Sequence, residues 1–351
     1  MRIALDAMGG DYAPAEIVAG AVAAARELGL EIALVGIRDV VEAELARQAP
    51  VPPGLSIVHA GQVIAMDEHP AQAARQKRES SIVVGMRMLK AGEVAALVSA
   101  GNTGAVVAAA IFHVGRIKGV ERPALVAFIP TGKGRRPGRA GHEGASVTML
   151  LDVGANADCK PHYLLQFAQM GSIYMERGLG VAGPRVALLN IGEEESKGSQ
   201  LAQEAYALLH RSGLNFVGNI EGRDVPGGLA DVIVTDGFTG NVVVKTMEGV
   251  AEALTGEMRA AFMSRWHYKL AALALRGAFG GLRQRLDWAE YGAGPLLGID
   301  GLVFIAHGRS RAKAIKSALR VAAQAARADT LGALRDAARS VSSGTSTPAS
   351  P

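Results

Sequence analysis

The chain has 351 residues, 49% hydrophobic and only 5% aromatic, enough to bury a large core built mainly from Ala, Val, Leu and Ile. Its single cysteine, Cys159, excludes an internal disulfide framework and a cysteine zinc cage, and no apolar run reaches the roughly 18–20 residues of a membrane-spanning helix. A formal net charge of +4 and a pI near 9.2 suit an acidic partner, and no nucleic-acid partner is expected.

Short apolar runs alternate with longer segments of helical period, the pattern of a mostly parallel sheet covered by helices, so an α/β sandwich is expected. Strands are predicted at 2–6, 31–36, 55–59, 94–99, 124–129, 148–152, 185–191, 214–217, 231–235 and 301–305. Helices are predicted near 14–28, 38–47, 70–91, 103–113, 160–177, 198–211, 240–265 and 309–326. The opening residues Met1 to Asp6 are too short and too polar for a signal peptide, and with one cysteine they point to the reducing cytoplasm. No Pro/Gly/Ser linker interrupts residues 1–330, which are expected to form one unit; 331–351 read as a C-terminal tail, disordered from about 340, where Ser, Thr, Gly, Ala and Pro take over.

Five predicted strands run into loops rich in Gly, Asn, Thr or Asp: Asp6 to Asp11, Ser99 to Gly104, Asn190 to Gly198, Asp236 to Asn241 and His307 to Ser310. In a parallel sheet such loops share the carboxyl edge, so one cleft is expected. Gly101-Asn102-Thr103-Gly104 and Gly237-Phe238-Thr239-Gly240-Asn241 repeat the same elements, suited either to plain helix capping or to an anion held by helix-start N–H groups. Lys197 reads either as a surface lysine beside Glu193, Glu194 and Glu195 or as a phosphate-binding point charge. His307, at a strand end before Gly308, is either structural or a cleft residue. Neither a dinucleotide fingerprint, a P-loop nor a nucleophile elbow is present, Cys159 has no evident base, and the histidines lack metal-ligand spacing, so no metal is expected.

Two further features carry alternatives. Arg135, Arg136 and Arg139 form a basic loop, either solvated or a contact for an acidic partner. Phe262, Trp266, Leu270 and Leu273 fall on one helical stripe flanked by Arg265 and Lys269, within a helical excursion near 245–292. That stripe suits a dimer interface or shallow contact with an anionic membrane surface.

The motifs resemble one family, the bacterial phosphate acyltransferases of phospholipid synthesis. The resemblance rests on Asp6-Ala7-Met8-Gly9-Gly10-Asp11, Lys77-Arg78-Glu79-Ser80-Ser81, Ser99-Ala100-Gly101-Asn102-Thr103-Gly104, Arg122-Pro123-Ala124-Leu125, Leu151-Asp152-Val153-Gly154-Ala155-Asn156, Leu189-Asn190-Ile191-Gly192-Glu193-Glu194 and Asp236 to Asn241. It implies a three-layer α/β/α sandwich related to phosphotransacetylases and isocitrate-type dehydrogenases, a homodimer, and no metal or organic cofactor. It also implies the reaction: an acyl-acyl-carrier-protein thioester plus inorganic phosphate gives an acyl phosphate, which a membrane glycerol-3-phosphate acyltransferase would consume. Lys197 and Asn241 are carried over as essential, with His307 assisting. Asp6, Gly9, Gly10, Asn102, Thr103, Gly104, Asn156, Thr239 and Gly240 are expected to bind phosphate or thioester. Ser199 stands where the family usually has Asn after Lys-Gly. Two other functions stay open: a phosphotransacetylase acting on coenzyme A thioesters, and a membrane-associated scaffold of lipid synthesis.

Overall fold

Runs such as Ile3-Ala4-Leu5 and Leu302 to Ala306 are buried along their whole length, as strands covered by helices on both faces must be. The computed structural model describes residues 1–131, 147–274, 277 and 291–342. Its strands are β1 (Arg2–Asp6), β2 (Glu31–Gly36), β3 (Leu55–His59), β4 (Ala96–Ser99), β5 (Ala124–Pro130), β6 (Val147–Leu151), β7 (Val186–Leu189), β8 (Phe216–Ile220), β9 (Val232–Val234), β10 (Ala293–Leu297) and β11 (Leu302–Ala306). They form one sheet in the order β3-β2-β1-β4-β11-β10-β5-β6-β9-β7-β8.

The helices are α1 (Ala15–Leu28), α2 (Arg38–Arg47), α3 (Pro70–Gln76), α4 (Ser81–Lys90), α5 (Thr103–Ala109), α6 (Pro161–Leu179), α7 (Gln200–His210), α8 (Gly237–Met263), α9 (Trp266–Ala274), α10 (Ala312–Arg327) and α11 (Thr330–Ser342). Residues of α1, α6, α7, α10 and α11 pack on one face of the sheet. Those of α3, α4, α5 and the start of α8 pack on the other, giving three layers. On the second face the cover thins at mid-sheet, where the small residues Ala127 of β5 and Gly294 of β10 stay partly exposed.

Strand direction overturns one expectation. Pairing is parallel throughout β3-β2-β1-β4-β11 and throughout β6-β9-β7-β8, but three antiparallel pairings, β11 with β10, β10 with β5 and β5 with β6, separate the blocks. The two blocks therefore run in opposite directions. Loops after β1, β4 and β11 leave one edge of the sheet, whereas loops after β6, β7 and β9 leave the other. The five junctions do not share a single carboxyl edge.

Other differences are local. The predicted helix over 70–91 breaks into α3 and α4, because Lys77 is tied to Glu68 at 2.6 Å and to the Val63 carbonyl at 2.7 Å, while the Ser80 side chain caps α4. The helix predicted over 103–113 ends in a π turn, Ala110–Val114. Strand β10 was not foreseen, since Gly294 and Pro295 mask its β pattern. Residues expected to begin a tail instead form α11, whose Leu331, Leu334 and Ala338 face the core at helical spacing. The tail beyond 342 lies outside the described residues.

Candidate active site

At the first edge, the loops after β1, β4 and β11 are knitted together by a buried carboxylate. Asp6 accepts hydrogen bonds from Ser99 Oγ at 2.7 Å and from the Met8 N–H at 3.1 Å. Burial raises its pKa, and those hydrogen bonds offset part of the rise. Gly9 has no room for a side chain, because a Cβ there would strike Asp6 Oδ2 and come within 2.6 Å of the Gly101 nitrogen. The Asp11 N–H donates to the Gly308 carbonyl at 2.8 Å, which joins the His307 loop to the same cluster. Asp6 is thus a sealed scaffold carboxyl, and its expected contact with phosphate or thioester is corrected: it is fully buried, and its two oxygens accept from the Met8 N–H and Ser99 Oγ.

Asn102 is likewise committed. Its Oδ1 accepts from the Ala105 N–H at 3.0 Å as the cap of α5, and its Nδ2 donates to the carbonyls of Met66 at 3.0 Å and Glu68 at 3.2 Å. With its amide spent on the cap and on the segment before α3, it is not an open oxyanion donor. A Cβ on Gly104 would lie 2.7 Å from Pro70, so this glycine serves the contact of α3 with α5. Thr103 is the exposed member of the motif.

The second edge repeats the device. Asp152, at the end of β6, is buried and accepts from the N–H groups of Leu125 at 2.9 Å, Ala155 at 3.0 Å and Asn156 at 2.7 Å. Burial again raises its pKa, against these hydrogen bonds. Asn156 Nδ2 is used on the Pro123 carbonyl and on Asp152, at 2.7 and 2.9 Å, which corrects its expected role as a ligand donor. Asp236 caps α8 by accepting from the Thr239 N–H at 2.8 Å and from Thr239 Oγ1 at 2.7 Å, so the Thr239 hydroxyl proton is also spent. Gly240 is pressed against the Asp152 carbonyl, where no Cβ fits.

Lys197 and Asn241 remain open at this edge. Both are exposed and follow β7 and β9, which are hydrogen-bonded neighbours. The Lys197 carbonyl accepts from Asn190 Nδ2 at 3.0 Å, and Gly198 follows at φ +89°, which turns the loop into α7. Among the described residues no carboxylate pairs with the Lys197 ammonium. Ser199 accepts from the Ala202 N–H at 3.3 Å and serves as the cap of α7. Asn241 Nδ2 donates to the Val153 carbonyl at 3.1 Å.

Helix α8 connects the two edges. His307, half-buried at the end of β11, has its Nε2 at 3.2 Å from Lys245 Nζ and 3.5 Å from Glu248 Oε2. Lys245 and Glu248 are themselves paired at 2.8 Å, and Glu252 binds Arg309 at 2.6 Å. The hydrogen bond from His307 lowers the Glu248 pKa to about 2 against the opposing effect of burial, with further lowering from Lys245. Sequence reading missed Lys245, Glu248 and Glu252. Their signal was the spacing from Asn241, which puts all four on one helical face.

The remaining predicted residues divide plainly. Arg135, Arg136 and Arg139 lie outside the described residues. The stripe of Phe262, Trp266, Leu270 and Leu273 is interrupted: α8 ends at Met263 and α9 begins at Trp266, with Phe262 partly buried on the former. Trp266, Leu270 and Leu273 are 73%, 57% and 65% exposed. The Cys159 thiol is pushed up to about 12, chiefly by burial and then by the Asp152 charge, which disqualifies it as a nucleophile.

A family model described as fatty acid synthesis protein matches residues 1–332. The chain is 51% identical over 337 residues to a phosphate acyltransferase of Heliobacterium modesticaldum, covering 96% of this chain and 97% of that one. It is 49% identical over 342 residues to a phosphate acyltransferase of Pelotomaculum thermopropionicum, covering 97% and 96%. The fold is similar to a phosphotransacetylase from Streptococcus pyogenes (TM-score 0.58, 16% identity, 93% and 94% of the two chains) and to a branched-chain phosphotransacylase from Enterococcus faecalis (TM-score 0.55, 14% identity, 93% and 99%). An open sheet with the α/β/α layering of those transacylases, and half-identity along nearly its whole length to phosphate acyltransferases, lead to one assignment: the chain belongs to the fatty acid synthesis protein family, as an enzyme of the phosphate acyltransferase type.

Proposed function

We propose that this phosphate acyltransferase takes a fatty acyl group from an acyl-acyl-carrier-protein thioester and transfers it to inorganic phosphate. The product, an acyl phosphate, would feed phosphatidic acid synthesis through a membrane glycerol-3-phosphate acyltransferase. The observation that carries this reading is the placement of Lys197, on the loop after β7, and Asn241, in the first turns of α8 after the neighbouring strand β9, both exposed, in a chain of this family.

The chemistry explains why no catalytic triad is needed. Phosphate near neutral pH is a mixture of monoanion and dianion, and the dianion is already a nucleophile. One of its oxygens bonds to the thioester carbon, and the C–S bond then breaks. The leaving thiolate belongs to a thiol with a pKa of about 8.5 and takes its proton from water or a nearby donor. The enzyme's task is to overcome anion repulsion, align phosphate with the carbonyl and stabilise the tetrahedral oxyanion. In this reading Lys197 holds phosphate, Asn241 supplies a donor to the oxyanion, and His307, reached along α8, assists as donor or proton shuttle. A basic loop with Arg135, Arg136 and Arg139 would steer the acidic carrier.

We also infer a homodimer in the cytoplasm, with the exposed apolar residues Val250, Leu254, Trp266, Leu270 and Leu273 of α8 and α9 covered by the partner or by an anionic membrane surface. The test of the reaction is to mix purified protein, palmitoyl-carrier protein and phosphate, trap acyl phosphate with hydroxylamine and count the released thiol. Phosphate-dependent hydroxamate matching the thiol supports the proposal. Thiol release without hydroxamate would make the protein a thioesterase, and activity only on coenzyme A thioesters would make it a phosphotransacetylase.

A further inference from the structure

Four polar side chains of α8, Asn241, Lys245, Glu248 and Glu252, share one face at spacings of four, three and four residues. Asn241 begins at the edge where β6, β7 and β9 end. Glu248 and Glu252 reach the loop after β11 at the other edge, through His307 at 3.5 Å and Arg309 at 2.6 Å. Lys245 lies between them, one turn from Asn241.

We propose that Lys245 is a second phosphate-binding residue of the acyl-transfer site, held in place on α8 by Glu248 and His307; the proposal rests on the phosphate-dependent reaction proposed above. An exposed lysine paired with a carboxylate three residues along its own helix is ordinarily a solvated ion pair of little consequence. Here the carboxylate is shared. The Arg309 N–H donates to His307 Nδ1 at 3.1 Å, so the proton of the neutral imidazole sits on Nε2, on the side that faces Glu248. The Lys245 ammonium, 2.8 Å from the same Glu248 oxygen and 3.2 Å from that Nε2, therefore converges with His307 on one oxygen acceptor.

Two N–H donors aimed at one carboxylate oxygen present the geometry that a phosphate oxygen also accepts. An ammonium has three protons, so Lys245 can keep Glu248 while donating to a ligand. The lysine side chain is 55% exposed, which leaves that donation open to a ligand from solvent. A phosphate dianion also calls for more than one cation, and Lys197 supplies a single charge from the edge on which Asn241 begins. The helix itself sets the second: α8 carries Lys245 about 6 Å along its axis from Asn241, at 1.5 Å per residue.

The experiment compares wild type, Lys245→Met and Lys245→Arg in two assays: steady-state hydroxamate kinetics with phosphate and acyl-carrier protein varied separately, and isothermal titration with orthophosphate alone. The expected result is a rise of about tenfold or more in the KM for phosphate in Lys245→Met, the loss of one charge-assisted hydrogen bond. The KM for the acyl carrier stays within about twofold, and Lys245→Arg recovers most of the phosphate affinity. An unchanged phosphate KM in an active Lys245→Met enzyme, or a fall in kcat alone, overturns the proposal. If wild type makes no hydroxamate, the reaction proposed above is what fails, and the titration still decides Lys245: equal phosphate binding by wild type and Lys245→Met rejects its role. If Lys245→Met does not fold, Lys245→Gln and Lys245→Arg give the same comparison.

Discussion

Ser99 Oγ donates a 2.7 Å hydrogen bond to Asp6 Oδ2 across 93 residues of sequence, joining the ends of β4 and β1 in the buried floor of one edge of the site. Removing it in Ser99→Ala leaves a buried carboxylate short of a donor and is expected to cost about 1–3 kcal/mol of unfolding free energy. Urea denaturation of the two proteins checks this. The Asp6 pKa is raised in the folded state by burial, so the folded protein holds the proton more tightly than the unfolded chain. That contribution is complete below the ordinary aspartate value of 3.8 and is lost as pH rises through the higher folded value. Relative to Asp6→Asn, wild type should lose stability over that rise; a pH-independent difference would contradict it.

Glu248 has the opposite sign. Its pKa falls from 4.5 to about 2 through the hydrogen bond from His307 and then the pairing with Lys245, so its contribution is present above 4.5 and disappears as pH falls toward 2. The carboxylate is partly exposed, and after solvent screening the contribution is on the order of 1–2 kcal/mol. Glu248→Gln should flatten the acid limb of the stability profile measured by thermal unfolding between those pH values.

Lys197→Ala is expected to lower kcat/KM for the acyl-transfer reaction by at least about a hundredfold, the effect of deleting one charged donor from a preorganised site. Circular dichroism and melting temperature should be close to wild type, since its side chain is exposed and pairs with no described carboxylate. Turnover within about threefold of wild type would remove Lys197 from the site.

Asn241→Ala is expected to lower kcat by about one hundredfold if its amide stabilises the oxyanion. It should also cost about 1 kcal/mol of stability, because Asn241 Nδ2 holds the Val153 carbonyl at 3.1 Å. Asn241→Asp separates the two effects: the shape is retained and the donor is replaced by a negative charge that repels phosphate. Equal activity of Asn241→Asp and wild type would argue against any contact with the anion.

The double variant Trp266→Ala, Leu270→Ala removes two exposed apolar side chains from α9. If they contact lipid, sedimentation with anionic vesicles drops several-fold while the proposed dimer, followed by light scattering, is unaffected. Loss of the dimer with unchanged vesicle binding would assign α9 to the subunit interface.

Much of the architecture was legible in the residues, because burial on two faces demands continuous apolar runs and burial on one face demands helical spacing. Strands such as β1, β2 and β3, and helices such as α2, fall where those patterns put them. The motif around Asn241 likewise identified the start of α8. What a strand pattern does not contain is direction: Leu302 to Ala306 reads alike whether its neighbours run with it or against it. The three antiparallel pairings around β10 and β5 were decided by the tertiary structure, and they sent the Lys197 and His307 loops to opposite edges.

The same limit separates donors from scaffolding. Asn102, Asn156 and Asn241 are chemically identical residues in similar motifs, and composition, spacing and capping preference determined that each would sit just before a helix or in its first turns. Only the packed structure decided their availability, because hydrogen-bond donors are few and each can be spent on backbone carbonyls from distant segments. Asn102 spends its amide on the segment before α3 and Asn156 on Pro123 and Asp152, while Asn241 gives one bond to the Val153 carbonyl and stays exposed on the face of α8 that leads through Lys245 to His307.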